Sequence, residues 1–333
     1  MWAVRPLPRK GETISSWLLR IAAAKGVKPH SLVQMLCPGA QVWTRDADLL
    51  APSPLLKALA AATNLDVAGI EATTLRTLTG TLAETIDGSS QTAMIVPLGV
   101  RHRTRLAFGQ AFCPQCLSED IPYLRLTWRL RLFPTCPRHA LVLSDCCPAC
   151  GGAYPPYAGG FVTCFACGHD LRTSVGEAAD TRVLALQYHS ERVLSGHAVQ
   201  WPFLQGMHPI AFFQLQLTLL RALLSPRWGA RLREELARHL GPQDFSCRSD
   251  RATVQTLDIG SAHRAMRGVE LLLRGWPAML AGICREAEAW STWIAPEKKR
   301  IDIPYVLQEA LDTYLAPGSA PRAATAFPRA PRG

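Results

Sequence analysis

The chain has 333 residues, 48% of them hydrophobic and 19% charged, which excludes a disordered or low-complexity chain and leaves apolar area for two or three domains. A formal charge of +10 favours an acidic partner such as nucleic acid or an anionic protein surface. Of eleven cysteines, eight crowd into residues 113–167, seven of them in CxxC or CxxH pairs, which points to metal ligation in a reducing compartment rather than a disulfide framework.

The opening MWAVRPLPRK carries charges but no apolar run, so no signal peptide is expected. Residues 12–36 read as two helices. Thr13 or Ser15 caps the first, whose apolar face is Trp17, Leu18, Ile21 and Ala22, and Gly26 stops it. Pro29 suits the first turn of the second, which carries Leu32, Val33 and Leu36. From Ser53 to Leu78, two apolar-periodic runs separated by Asn64–Asp66 have the layout of a helix-turn-helix. In a DNA reader the second run would present Glu71, Thr73, Thr74 and Arg76 to the major groove. Ordinary packing of two helices is the competing reading.

Residues 80–100, with Gly80, Gly88, Ser89, Ser90, Pro97 and Gly99, look like a connector. Beyond residue 180, helical periodicity returns in 208–224, 226–240, 261–274, 276–293 and 304–315. The most apolar run, HPIAFFQLQLTLLRALL, contains Gln214, Gln216 and Arg221, so it reads as a core helix and not a membrane span. The predicted fold is mainly α with small zinc-binding modules. An N-terminal helix-turn-helix-like helical domain spans 1–100, two tandem zinc fingers span 101–172, a C-terminal helical domain spans 173–315, and 316–333 is a disordered tail.

The cysteine pairs form two quartets. The first is Cys113, Cys116, Cys136 and His139; the second is Cys147, Cys150, Cys164 and Cys167. Two soft ligands in one tight turn can reach the same tetrahedral ion, and thiolate with imidazole selects zinc. Cys146 beside Cys147 and His169 beside Cys167 are alternative ligands; the CPxC spacing favours Cys147. Four protein ligands close each shell, so two structural Zn2+ ions are expected. A catalytic zinc would need an open position and a general base, for which Glu119 and Asp120 are the nearby acids.

Between the halves of the first quartet lies YLRLTWRLRL. Its strict alternation predicts a half-buried strand, although Arg125 and Arg129 would also share a helix face. On either reading Arg125, Arg129 and Arg131 point away from the apolar side. With Arg101, Arg103, Arg105 and Arg138 they form a basic cluster suited to phosphate contact, or to a solvated or protein-docking face.

RPLPRKGETISSWLLRIAAAKG resembles the opening of the TniQ/TnsD family of transposition accessory factors, through Pro6, Pro8, Glu12, Ser15, Ser16, Trp17, Leu18 and Arg20. The block from Cys113 to Gly151 resembles the family's paired zinc fingers, including Tyr123, Trp128, Cys136, Pro137, His139, Leu143, Cys147 and Cys150. The resemblance covers about 1–170. It implies a non-enzymatic, cytoplasmic, nucleoid-associated bacterial adaptor that helps choose a transposon's target. Such an adaptor recognises DNA directly or through a CRISPR effector complex, then recruits an AAA+ ATPase regulator and the transposase. A second copy of the chain, through the C-terminal helices, is a further partner to expect. Consistent with the non-enzymatic expectation, no Walker motif and no transposase acidic triad is visible. The alternative is a free-standing zinc-finger and helix-turn-helix transcriptional regulator.

Overall fold

The computed structural model describes residues 2–43, 45–86, 93–98, 110–154, 160–226, 229–241, 253–295 and 303–315. The expected tail at 316–333 lies outside them. The described fold is mainly helical, with a two-stranded antiparallel sheet of β1 (Thr135–Cys136) and β2 (Leu141–Val142). No described helix is long and apolar enough to cross a membrane.

Five helices build the N-terminal core: α1 (Ile14–Ala24), α2 (Pro29–Leu36), α3 (Ala47–Leu50), α4 (Ser53–Thr63) and α5 (Val67–Glu71). The Thr13 hydroxyl caps α1 by accepting from the Ser16 amide, and Gly26 leaves it in the left-handed region at φ 65°. Trp17, Leu18 and Ile21 then meet Leu32, Leu55, Leu59 and Ile70 in one buried cluster. The two helices expected over 12–36 are present.

The pair α4–α5 has its tight turn, with Asn64 left-handed at φ 60° and Asp66 accepting from the Gly69 amide at 2.7 Å. It does not present a recognition helix. Helix α5 spans five residues and ends before Thr73 and Thr74, which are 3% and 0% exposed. Arg76 turns inward and donates to the Ala51 carbonyl at 2.9 Å. Their hydroxyls and guanidinium satisfy local carbonyls, so this segment is a packed corner, contrary to the major-groove expectation.

The short helix α6 (Pro114–Leu117) belongs to the metal-binding module. Seven more helices, α7 (Thr181–Leu194), α8 (Pro209–Leu224), α9 (Gly229–Leu240), α10 (Ile259–Arg274), α11 (Ala278–Glu286), α12 (Ser291–Ile294) and α13 (Tyr305–Tyr314), form the C-terminal bundle. The run expected over 276–293 is broken at Glu288, which sits left-handed at φ 52°. Helix α7 had no clear apolar period because its buried face, Val183, Leu186, Gln187, Ser190 and Val193, is two-fifths polar. The bundle core also takes in Leu75 from the end of the Ser53–Leu78 run, Leu82, Ile86, Met94 and Ile95 from the expected connector, and Leu126, Leu130, Leu132 and Phe133 from the zinc region. The hydrophobic cores therefore do not divide the chain at residue 100.

The polar face of α7 is used. Gln187 accepts from the Thr135 amide at 2.9 Å and its hydroxyl at 2.6 Å, and donates back to the Thr135 carbonyl at 2.7 Å. This ties β1 to the bundle at a fully buried position. Gln187→Ala leaves those groups unsatisfied and should cost about 3 kcal/mol, from roughly 1–3 kcal/mol per buried orphan. The check is the urea midpoint; an unshifted midpoint would show that water replaces the amide.

Candidate metal centre

The first quartet is assembled from a helix and a hairpin. Cys113 precedes α6 and Cys116 lies within it; Cys136 ends β1, and His139 sits in the turn before β2. Ala140, left-handed at φ 52°, lets that turn close. His139 Nδ1 lies 3.5, 3.3 and 3.6 Å from the sulfurs of Cys113, Cys116 and Cys136, and the Cys116 and Cys136 sulfurs are 3.6 Å apart. In the second quartet, Cys147 to Cys167 and Cys150 to Cys164 are each 3.7 Å. Two knuckle turns make it: the Gly151 amide donates to the Cys147 carbonyl and the Gly168 amide to the Cys164 carbonyl, at 2.8 and 2.9 Å, with both glycines left-handed.

These spacings fit a tetrahedral ion. An ion about 2.3 Å from each sulfur puts the sulfurs roughly 3.8 Å apart, whereas a disulfide would hold them at about 2.0 Å. All four donor atoms of each quartet lie within 4.8 Å of one another, so both sites can hold a metal ion. In the first quartet, hydrogen bonding to Cys113 and Cys136, with burial added, pushes the Cys116 thiol up; a bound cation relieves that crowding of sulfurs. Cys146 and His169, the alternative ligands, stand outside the second quartet.

The centres differ in depth. Cys113, Cys116 and Cys136 are 0%, 3% and 1% exposed, while Cys150 and Cys167 of the second lie on the surface. Glu119 adds an outer carboxylate beside the first, 3.8 Å from His139 Nε2 and 2.8 Å from the Arg138 guanidinium.

The intervening YLRLTWRLRL is neither a strand nor a display surface. It turns through a short 3-10 helix at Leu126–Arg129, with Leu124 and Trp128 in the metal-module core and Leu126, Leu130 and Leu132 in the bundle core. Arg129 and Arg131 are each 1% exposed, which corrects the expectation that they face a partner. Arg129 Nη2 pairs with Asp46 at 2.5 Å and Nη1 with Asp48 at 2.6 Å, and Nη2 also donates to the Val96 carbonyl at 2.8 Å. Burial opposes its charge, but Asp46 and Asp48 outweigh that and hold its pKa above the ordinary value. Arg131 pairs with Asp145 at 3.4 Å, and Asp145 accepts from the Ile259 amide at the start of α10. Burial pulls the Arg131 pKa down more than Asp145 restores it.

Arg125 is half-buried, its guanidinium 4.6 Å from the Tyr123 ring centre and 5.8 Å from that of Trp128. Arg138 is exposed and paired with Glu119. Arg101, Arg103 and Arg105 lie outside the described residues. The N-terminal core docks on the same segment. The Thr13 amide donates to the Leu124 carbonyl and the Leu126 amide to the Gly11 carbonyl, at 3.0 and 2.8 Å, and the Leu124 amide donates to the Ser16 hydroxyl at 3.0 Å. Asp46, Asp48, Asp145 and Gln187 are the residues that sequence reasoning missed; a lone acidic residue in an N-terminal helix region has no local pattern marking a distant arginine as its partner.

Residues 3–143 match the model of the TniQ family, so the resemblance seen in the sequence holds over that region. The family is one of transposition-associated accessory proteins. The matched span contains the N-terminal core, the first metal quartet and both sides of the Arg129 clamp. No curated protein matches the chain.

Proposed function

We propose that this chain, carrying a TniQ region over residues 3–143, is a non-enzymatic adaptor of DNA transposition whose shape depends on two structural Zn2+ ions. One observation carries the reading: the matched region is physically one unit, its N-terminal helices clamped onto the first metal module by Arg129, Asp46 and Asp48. With four protein ligands per ion and no open position, each zinc holds a fold and no substrate. The adaptor would engage target DNA, directly or through an RNA-guided complex, and recruit an AAA+ ATPase regulator and the transposase. A free-standing transcriptional regulator has less support, because the α4–α5 corner buries Thr73 and Thr74.

The test is capture. Tagged chain should retain its element's AAA+ ATPase on a column, and deleting the gene should abolish targeted insertion in a two-plasmid transposition assay. No capture, together with undiminished targeted insertion after deletion, would sink the adaptor reading.

A further inference from the structure

The basic surface expected around Arg125–Arg131 is mostly interior, which raises the question of where a +10 chain presents its charge. The first 65 residues carry eight lysines and arginines and three carboxylates, Glu12, Asp46 and Asp48. All three carboxylates are buried, at 0%, 7% and 0% exposure. Glu12 faces Arg20 at 2.6 Å, and Asp46 and Asp48 face Arg129. What remains at the surface has one sign. Arg9, Lys10, Lys28, Arg45 and Lys57 are exposed, and Arg5 and Lys25 are half-buried, Lys25 lying 4.1 Å from the Trp2 ring centre. Among the described residues, no carboxylate lies within ion-pair distance of any of these seven. The next acidic residue, Asp66, caps α5.

We infer that this N-terminal helical unit, residues 2–65, is the surface through which the chain grips the phosphate backbone of duplex DNA. The inference rests on the adaptor reading and locates its DNA contact. Burial of all three acids within residues 2–65 leaves that segment's surface charges cationic, with the exposed Asp66 and Glu71 at the two ends of α5 as the neighbouring negative charges. The cations lie on the segment before α1, the α1–α2 turn, the approach to α3, and α4. All four lysines among the described residues lie here. A lysine ammonium is a point charge that binds phosphate without demanding the bidentate geometry of arginine, as sequence-independent backbone contact requires.

The experiment compares Lys10→Glu/Lys28→Glu with a charge-matched control, Arg182→Glu/Arg192→Glu on exposed positions of α7. Zinc-loaded full chain is titrated into a labelled duplex oligonucleotide by fluorescence anisotropy over a range of KCl. The lysine variant should lose roughly tenfold or more in affinity at low salt and lower the log-affinity against log-salt slope by about one per contact removed. The control should stay near wild type. Equal losses in both variants would reduce the effect to net charge and overturn the inference, as would an unchanged lysine variant. Stronger wild-type binding to polyglutamate than to duplex would assign the face to an acidic protein instead. ATPase capture on the same samples separates the two readings. DNA gripped through these lysines without capture, and with targeted insertion undiminished after deletion, overturns the adaptor alone; capture with DNA binding indifferent to the lysines overturns this surface alone.

Discussion

Cys116→Ser should release one zinc and unfold the chain as a whole, whereas Cys150→Ser should release one zinc and leave most of the fold standing. The asymmetry follows from where each ion sits. The first quartet is buried, and the segment threaded between its halves reaches all three cores: Leu124 and Trp128 in the metal module, Leu126 and Leu130 in the bundle, Arg129 against the N-terminal helices. Cys136 follows Thr135, which Gln187 holds to α7. Structural zinc supplies on the order of 10–16 kcal/mol of apparent binding energy in finger peptides. That is comparable to the whole stability of a typical domain, about 5–15 kcal/mol, so losing the first ion removes the margin entirely. The second quartet exposes Cys150 and Cys167 and spans two knuckle turns at the surface, so its collapse is local. Metal analysis with thermal unfolding by circular dichroism decides it. A Cys116→Ser protein melting cooperatively near the wild-type temperature would refute the central role given to the first centre.

Arg129→Met should destabilise the protein by about 3–5 kcal/mol, because it leaves Asp46 and Asp48 buried without their cation. For a chain of this size that corresponds to a fall in melting temperature of about 10 °C. Arg129→Lys should recover little. One ammonium has no planar fork with which to reach two carboxylates and the Val96 carbonyl together. Adding Asp48→Asn to Arg129→Met should restore part of the loss, since it removes an uncompensated buried charge. A melting temperature for Arg129→Met equal to wild type would mean that the clamp contributes no stability, and with it the claim that the TniQ region is one rigid unit would fail.

The features read directly from the chain share a property: their determinants are close together in sequence. A CxxC pair closes within one turn, so both metal quartets were legible as spacing. The helices α1, α2, α8, α10 and α13 were legible because each carries its apolar period and, at α1 and α2, its cap or first-turn proline. Helix α7 escaped because Gln187 and Ser190 occupy its inner face, where a pattern of apolar residues counts them as exposed.

The role of YLRLTWRLRL shows where such reading stops. Its alternation correctly placed Leu124, Leu126, Trp128, Leu130 and Leu132 inside. It also put Arg129 and Arg131 outside, because periodicity records where apolar groups fall and assigns charge to water. Asp46 and Asp48 stand 83 and 81 residues away along the chain, and only packing of the N-terminal helices onto the metal module brings them to the guanidinium. Local sequence therefore set the metal ligands, the caps and most helices. Folding in three dimensions settled which charges pair inside and, by removing three acids from the N-terminal surface, which charges are left to meet a partner. A buried ion pair requires both partners to be enclosed at once, and no stretch of sequence shorter than the distance between them can specify that.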